Sequence, residues 1–293
     1  TLINKDLRLI EERDLAGNDA IVHLAELSND PLGQNNPEVT YKINHKGSVN
    51  IASLAKKNGV SRFVYTSSCS VYGAGLEDIV NESSPTNPQT AYANCKVRVE
   101  QDVARMADED FCPVFLRNAT AYGASPRMRF DIVLNNLAGW AHTTRKIVMT
   151  SDGTPWRPLV HVLDICNAIV CSLEAPRDPV FNEIFNVGHN GDNYQVRQIA
   201  EITSRVFPGC ELSIGRSGGD TRSYRVSFDK IHRQLPGFRC HWDAKQGAEQ
   251  LHEIFERIDM KKETFDFRAF TRLKQLEYLI ASGQIDEEFF WKK

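Results

Sequence analysis

No glycine-rich turn of the form G-x-G-x-x-G or G-x-x-G-x-x-G occurs in the 293 residues, although 18 glycines are present. The usual sequence sign of a loop cradling a dinucleotide pyrophosphate is therefore missing. Long apolar runs are missing too. None approaches the ~18–20 residues of a membrane-spanning helix, so no membrane partner is expected. Charge of one sign is not concentrated anywhere. The net charge is −3 with acids and bases interspersed, which argues against nucleic acid or an anionic lipid surface as partner. No C-x-x-C and no H-E-x-x-H occurs, so no metal site is expected. Seven cysteines, an odd number without that spacing, read as reduced thiols of a cytoplasmic protein. The opening "TLINKDLRLIEERDL" is too charged for a secretory signal.

What is present has a regular rhythm. "DAIVHLA" (19–25), "RFVYTSS" (62–68) and "CPVFLRNA" (112–119) are short runs rich in Val, Ile and Phe and read as buried strands. Helical stretches over 37–58 and 92–108 separate them. Strands alternating with helices of this length make β-α-β units, hence an α/β fold around a parallel sheet covered on both faces. Further on, the sequence predicts helices over 128–144, 164–175 (opened by an Asp164 cap) and 195–207. It predicts strands over 146–150 and 183–188, and a charged helical tail from about 244. No repeat or linker divides the chain.

Two features carry chemistry. "TSSCSVYG" (66–73) puts hydroxyls at the C-terminal end of a predicted strand, where open α/β sheets bind ligands. "YANCK" puts Tyr92 and Lys96 four apart, on one helix face. A free phenol has a pKa of ~10, and a nearby ammonium favours its ionised form. With Ser68 bound to the same substrate oxygen, the three groups make a proton-transfer device for a carbinol that becomes a carbonyl.

These segments resemble the extended short-chain dehydrogenase/reductases, the NAD-dependent nucleotide-sugar epimerases and dehydratases akin to UDP-glucose 4-epimerase. The likeness continues in order through "DAIVHLAELS", "INHKGS", "LRNATAYG", "DGTPWRPLVHVLD" and "IFNVG". It implies a Rossmann-like doubly wound sheet over 1–122, with segments near 156–188 returning to it, and a smaller α+β substrate lobe over 123–293. Tyr92 would be the general acid/base, Ser68 would bind the reacting hydroxyl, and Lys96 would tune Tyr92 and hold the nicotinamide ribose. Further NAD contacts would come from Asp6 and Leu7 at the adenine, Leu24 and Ala25 after the first strand, Asn44 through the backbone it supports, and Thr66. The nucleotide sugar would meet Thr120, Arg129, Asn136, Arg157, Asp220 and Arg222. By the same resemblance, the helix bearing Tyr92 would pair across a two-fold axis through Val97, Val99, Val103 and Met106, giving a homodimer.

The departures from the family pattern are specific. The family's first strand, glycine-rich turn, helix and second strand would precede Thr1, so about 50–60 residues are expected upstream, a βαβ unit being ~30 or more. The Asp–Glu pair of the 4,6-dehydratases is replaced by Cys69 and Ser70, which disfavours that dehydration. Cys69 reads as a packing residue. Glu26 stands where the family more often has a small residue, and reads as a solvated loop carboxylate. Arg127 or Arg129 would grip a phosphate or carboxylate, or else form a structural salt bridge, and Ser217 replaces an Arg. The expected activity is epimerisation through a keto intermediate. A reductase or a dehydratase of another regiochemistry, and a cofactor-free binding protein, are the alternatives.

Overall fold

A computed structural model describes residues 2–73, 78–216 and 223–292. Its main sheet has four parallel strands: β1 (Ala20–His23), β2 (Arg62–Ser68), β3 (Cys112–Asn118) and β6 (Glu183–Val187), in the order β1-β2-β3-β6. The intervening helices are α1 (Ser48–Lys57), α2 (Ala91–Ala104), α3 (Val133–Thr144) and α4 (Val162–Glu174). The remaining elements needed below are β4 (Thr120–Tyr122), β5 (Trp156–His161), β7 (Asn193–Gln195), α5 (Val196–Val206), α6 (Ala244–Arg257) and α7 (Arg272–Ala281).

Alternation along the strands decides which face each side chain serves. Phe63, Tyr65 and Phe115 point to one face and pack with Ile51, Ala52 and Ala55 of α1 and Val99 and Val103 of α2. Val64, Val114 and Leu116 point to the other, against Ala168 and Cys171 of α4. The sheet is thus wound on both sides, as the β-α-β rhythm requires. A second, smaller sheet runs β4-β5-β7, with β4 and β5 parallel and β7 antiparallel. A separate core of Leu134, Ile199, Phe207, Leu251 and Phe255 joins α3, α5 and α6 beside it.

Most predicted elements sit where the sequence placed them, with differences that have causes. The long helix at 37–58 passes through a π-helical stretch, Tyr41–Gly47, which carries the fully buried Asn44. The helix expected from 164 begins at Val162. Its cap is His161, whose Nδ1 accepts from the Leu163 amide. Asp164 is buried and accepts instead from the amides of His241 and Trp242. The chain's end returns to its start: Arg8 lies 3.5 Å over the Phe290 ring, and Lys42 pairs with Glu288 at 2.8 Å. Among the described residues no helix is long and apolar enough to cross a membrane.

The side chains that suggested a dimer are used within the chain. Val99 and Val103 are fully buried in the α1/α2 core, Met106 packs against that core, and Val97 packs against the opposite one. The outward face of α2 carries Arg98 and Gln101, with Arg105 exposed at its C-terminal cap.

Candidate active site

The C-terminal ends of β1, β2 and β3 open into a cleft of about 700 Å³. Ser68 ends β2, and Tyr92 and Lys96 project from the first two turns of α2. That helix starts cleanly because the Thr90 hydroxyl accepts from the Ala93 amide, while Thr90 in turn donates to Asp30. All three predicted residues line the cleft. So do Leu24, Thr66, Thr120, Arg129 and Arg157.

Lys96 is held on every side. Its ammonium donates to the Thr66 carbonyl, pairs with Glu26 Oε2 at 2.8 Å, and lies 4.6 Å from the Tyr65 ring and 5.5 Å from the Tyr92 ring. The Glu26 side chain is only 3% exposed, so it is no solvated loop carboxylate. Its other oxygen accepts from the Tyr65 hydroxyl at 2.6 Å. Sequence reasoning missed this residue because its partner lies 70 positions away and no local pattern announces the pair.

The electrostatics correct a further expectation. Burial pushes the Tyr92 phenol above its ordinary pKa. The Lys96 charge and the Ser68 hydroxyl oppose that rise, and Glu26 and Asp30 reinforce it. Lys96, despite burial, is held above its ordinary value by Glu26 and Tyr92. The cation next to the phenol is real, but burial outweighs it, and the carboxylate beside it opposes it further.

Beneath the cleft runs a buried polar network. Glu100 and Arg117 are paired at 2.7 Å with both side chains 5% exposed. Ser67 donates to Glu100, and Arg117 donates to the Tyr72 hydroxyl, which donates to Asn186. These bonds tie the ends of β2, β3 and β6 to α2. Cys69 donates its thiol to the Arg117 carbonyl, and burial holds that thiol protonated, as befits a packing residue.

The other predicted contacts divide. Asn44 does not line the cleft but clamps the Leu27 backbone, accepting from its amide at 2.9 Å and donating to its carbonyl at 3.0 Å. Asp6, Leu7 and Ala25 are not among the cleft residues. Asp6 is engaged by the Arg8 guanidinium at 2.8 Å, and Leu7 packs against the α1/α2 core. Asn136 donates to the Phe130 carbonyl at 2.8 Å and stays outside the cleft. Arg129 donates to Asp131 at 2.8 Å, and one of its buried guanidinium nitrogens has no hydrogen-bond partner among the described residues. Asp220, Arg222 and Ser217 lie outside the described residues. Tertiary folding does bring His142, His252 and Glu256 within 4.8 Å of one another, a grouping the sequence spacing did not announce, but none of them lines the cleft.

Comparison with known proteins adds to this geometry. Residues 3–188 match the family described as the NAD dependent epimerase/dehydratase family. The chain belongs to that family. Its members are NAD-dependent enzymes, and the Ser–Tyr–Lys cleft fits that cofactor: Lys96, the Thr66 strand end and exposed Leu24 face one cavity from three elements. Among its relatives, UDP-glucose 4-epimerase 2 of Arabidopsis thaliana is 26% identical over 253 residues, 80% of this chain and 71% of that protein. UDP-glucose 4-epimerase of Bacillus subtilis is 26% identical over 253 residues, 80% of this chain and 73% of that one. In fold, the chain is similar to UDP-N-acetylglucosamine 4-epimerase from Methanobrevibacter ruminantium, with a TM-score of 0.77 and 22% identity, covering 88% of this chain and 83% of that one.

Proposed function

We propose that this family member epimerises a nucleotide-diphosphate sugar through a transient keto form. The observation that carries the reading is the convergence of Ser68, Tyr92 and Lys96 in one cleft at the strand ends. Bound NAD supplies a hydride acceptor and donor. The chain's own residues do the rest. Ser68 holds the reacting hydroxyl. Tyr92 accepts its proton as the carbinol becomes a carbonyl and returns a proton when the carbinol re-forms. Lys96 stabilises the phenolate in that first step and orients the ribose side of the site. Thr120, Arg129 and Arg157 line the cleft where the sugar and diphosphate would lie. Asp220, Arg222 and Asn136 are assigned to the nucleotide by resemblance alone, as are Asp6 and Leu7 to the adenine. Cys69 and Ser70 provide no acid–base pair for 4,6-dehydration, which favours epimerisation over that route.

The test is incubation of nucleotide sugars carrying deuterium on the ring carbon that is oxidised, with NAD and, in a parallel reaction, with NADH. An epimerase yields the epimer with the deuterium retained and no net NADH. Net consumption of NADH overturns the proposal in favour of a reductase, and a product lighter by one water overturns it in favour of a dehydratase.

A further inference from the structure

We propose that Glu26 is a positioning residue that compensates part of the Lys96 charge and so favours the phenol form of Tyr92 at rest. The inference rests on the reading of Tyr92 as the proton-transfer group, and concerns how that group is poised. Three observations carry it. Glu26 Oε2 lies 2.8 Å from the Lys96 ammonium with both side chains at most 5% exposed. Its other oxygen is fixed by the Tyr65 hydroxyl at 2.6 Å. The Ser48 hydroxyl, which also meets His23, approaches that same oxygen at 3.4 Å. The carboxylate is therefore locked in place before any ligand arrives.

Removed from water, opposite charges at this separation act partly as a dipole, and the Glu26 charge opposes the field that Lys96 exerts on Tyr92. The groups around the pair are His23 from β1, Asp30 from the segment after it, Tyr65 and Ser68 from β2, and Glu100 on α2, itself neutralised by Arg117 of β3. None of them substitutes for the Glu26 contact. Lys96 keeps the Thr66 carbonyl and the faces of Tyr65 and Tyr92 as partners for its ammonium when Glu26 is neutralised. The consequence is directional. A resting phenol is ready to give a proton to a carbonyl, whereas taking a proton from a carbinol first requires its ionisation. Glu26 thus biases the site toward the reductive half of the cycle and moves the oxidative half toward alkaline pH.

The experiment needs no substrate. Tyr92 is followed by ¹³C NMR of ring-labelled tyrosine, its signal assigned by loss in Tyr92→Phe, and titrated in the unaltered protein and in Glu26→Gln. Gln is isosteric and still accepts from Tyr65. The expected result is a lower titration midpoint for Tyr92 in Glu26→Gln, and a midpoint between the two in Glu26→Asp, which keeps the charge. An unchanged or higher midpoint in Glu26→Gln overturns the proposal, as does a Glu26→Asp value equal to that of Glu26→Gln. Should Glu26→Gln fail to fold, Glu26→Asp tests the same contact by drawing the carboxylate back from Lys96, and a midpoint that does not fall overturns the proposal. Turnover gives a second readout: the alkaline bias of the oxidative half-reaction should diminish in Glu26→Gln with substrate KM unchanged. A shifted Tyr92 in a protein inactive on every sugar would refute the proposed function and leave this inference standing. An active protein with an unshifted Tyr92 would do the reverse.

Discussion

Acidification from pH 7 to pH 5 should remove about 2 kcal/mol of folding free energy through one side chain, His23. The imidazole ends β1, is 4% exposed, and stacks between Phe63 at 6.2 Å and Tyr65 at 5.9 Å. Its Nε2 meets the Ser48 hydroxyl at 2.8 Å. Burial, with the nearby Lys96 charge, lowers its pKa from 6.5 to about 4. An unfolded chain takes up the proton near 6.5, whereas the folded one resists until about 4. Between those values the unfolded state binds more protons, so stability that is full above 6.5 is lost as pH falls through the window. The whole loss reaches about 3 kcal/mol below 4, at ~1.4 kcal/mol per pKa unit. His142 and His161 are shifted the same way by burial, so the slope of the unaltered protein is not His23's alone. The assay is urea denaturation at pH 7 and pH 5 for the protein and for His23→Gln. The variant should lose less on acidification, by about the 2 kcal/mol assigned to the imidazole. Equal losses in the two proteins, or a His23 imidazole titrating near 6.5 by NMR, would refute the reasoning.

Tyr92→Phe should lower kcat by ~10²–10⁴ with KM nearly unchanged, the usual range for removing a general acid/base, and Ser68→Ala should cost less; a fully active Tyr92→Phe would sink the mechanism. Arg117→Met strands the buried Glu100 carboxylate and should destabilise the fold by ~3–5 kcal/mol, read as a drop in the urea midpoint. If a homodimer forms, it must use the polar outward face of α2 or another surface, because Val99 and Val103 are already buried in the chain's own core. Light scattering at micromolar concentration decides this, and a monomeric mass rejects the dimer.

Local pattern reached far into this protein. The strand over 62–68 appears with those bounds, because a run of Phe, Val and Tyr between a Gly-containing turn and a hydroxyl cluster has few other ways to fold. Tyr92 and Lys96 meet in the cleft because helical spacing alone puts positions i and i+4 on one face. What local pattern did not reach is burial, which is a property of the surroundings. Nothing in "HLAELS" distinguishes a solvated Glu26 from one sealed against a lysine 70 positions on. The valines of α2 read equally well as a dimer face or as core until the strands they cover are placed. The proton affinity of Tyr92 followed the same rule. Its sign depended on how much water and how many charges surround the phenol, and only the packing of β1, β2 and α2 against one another decided both.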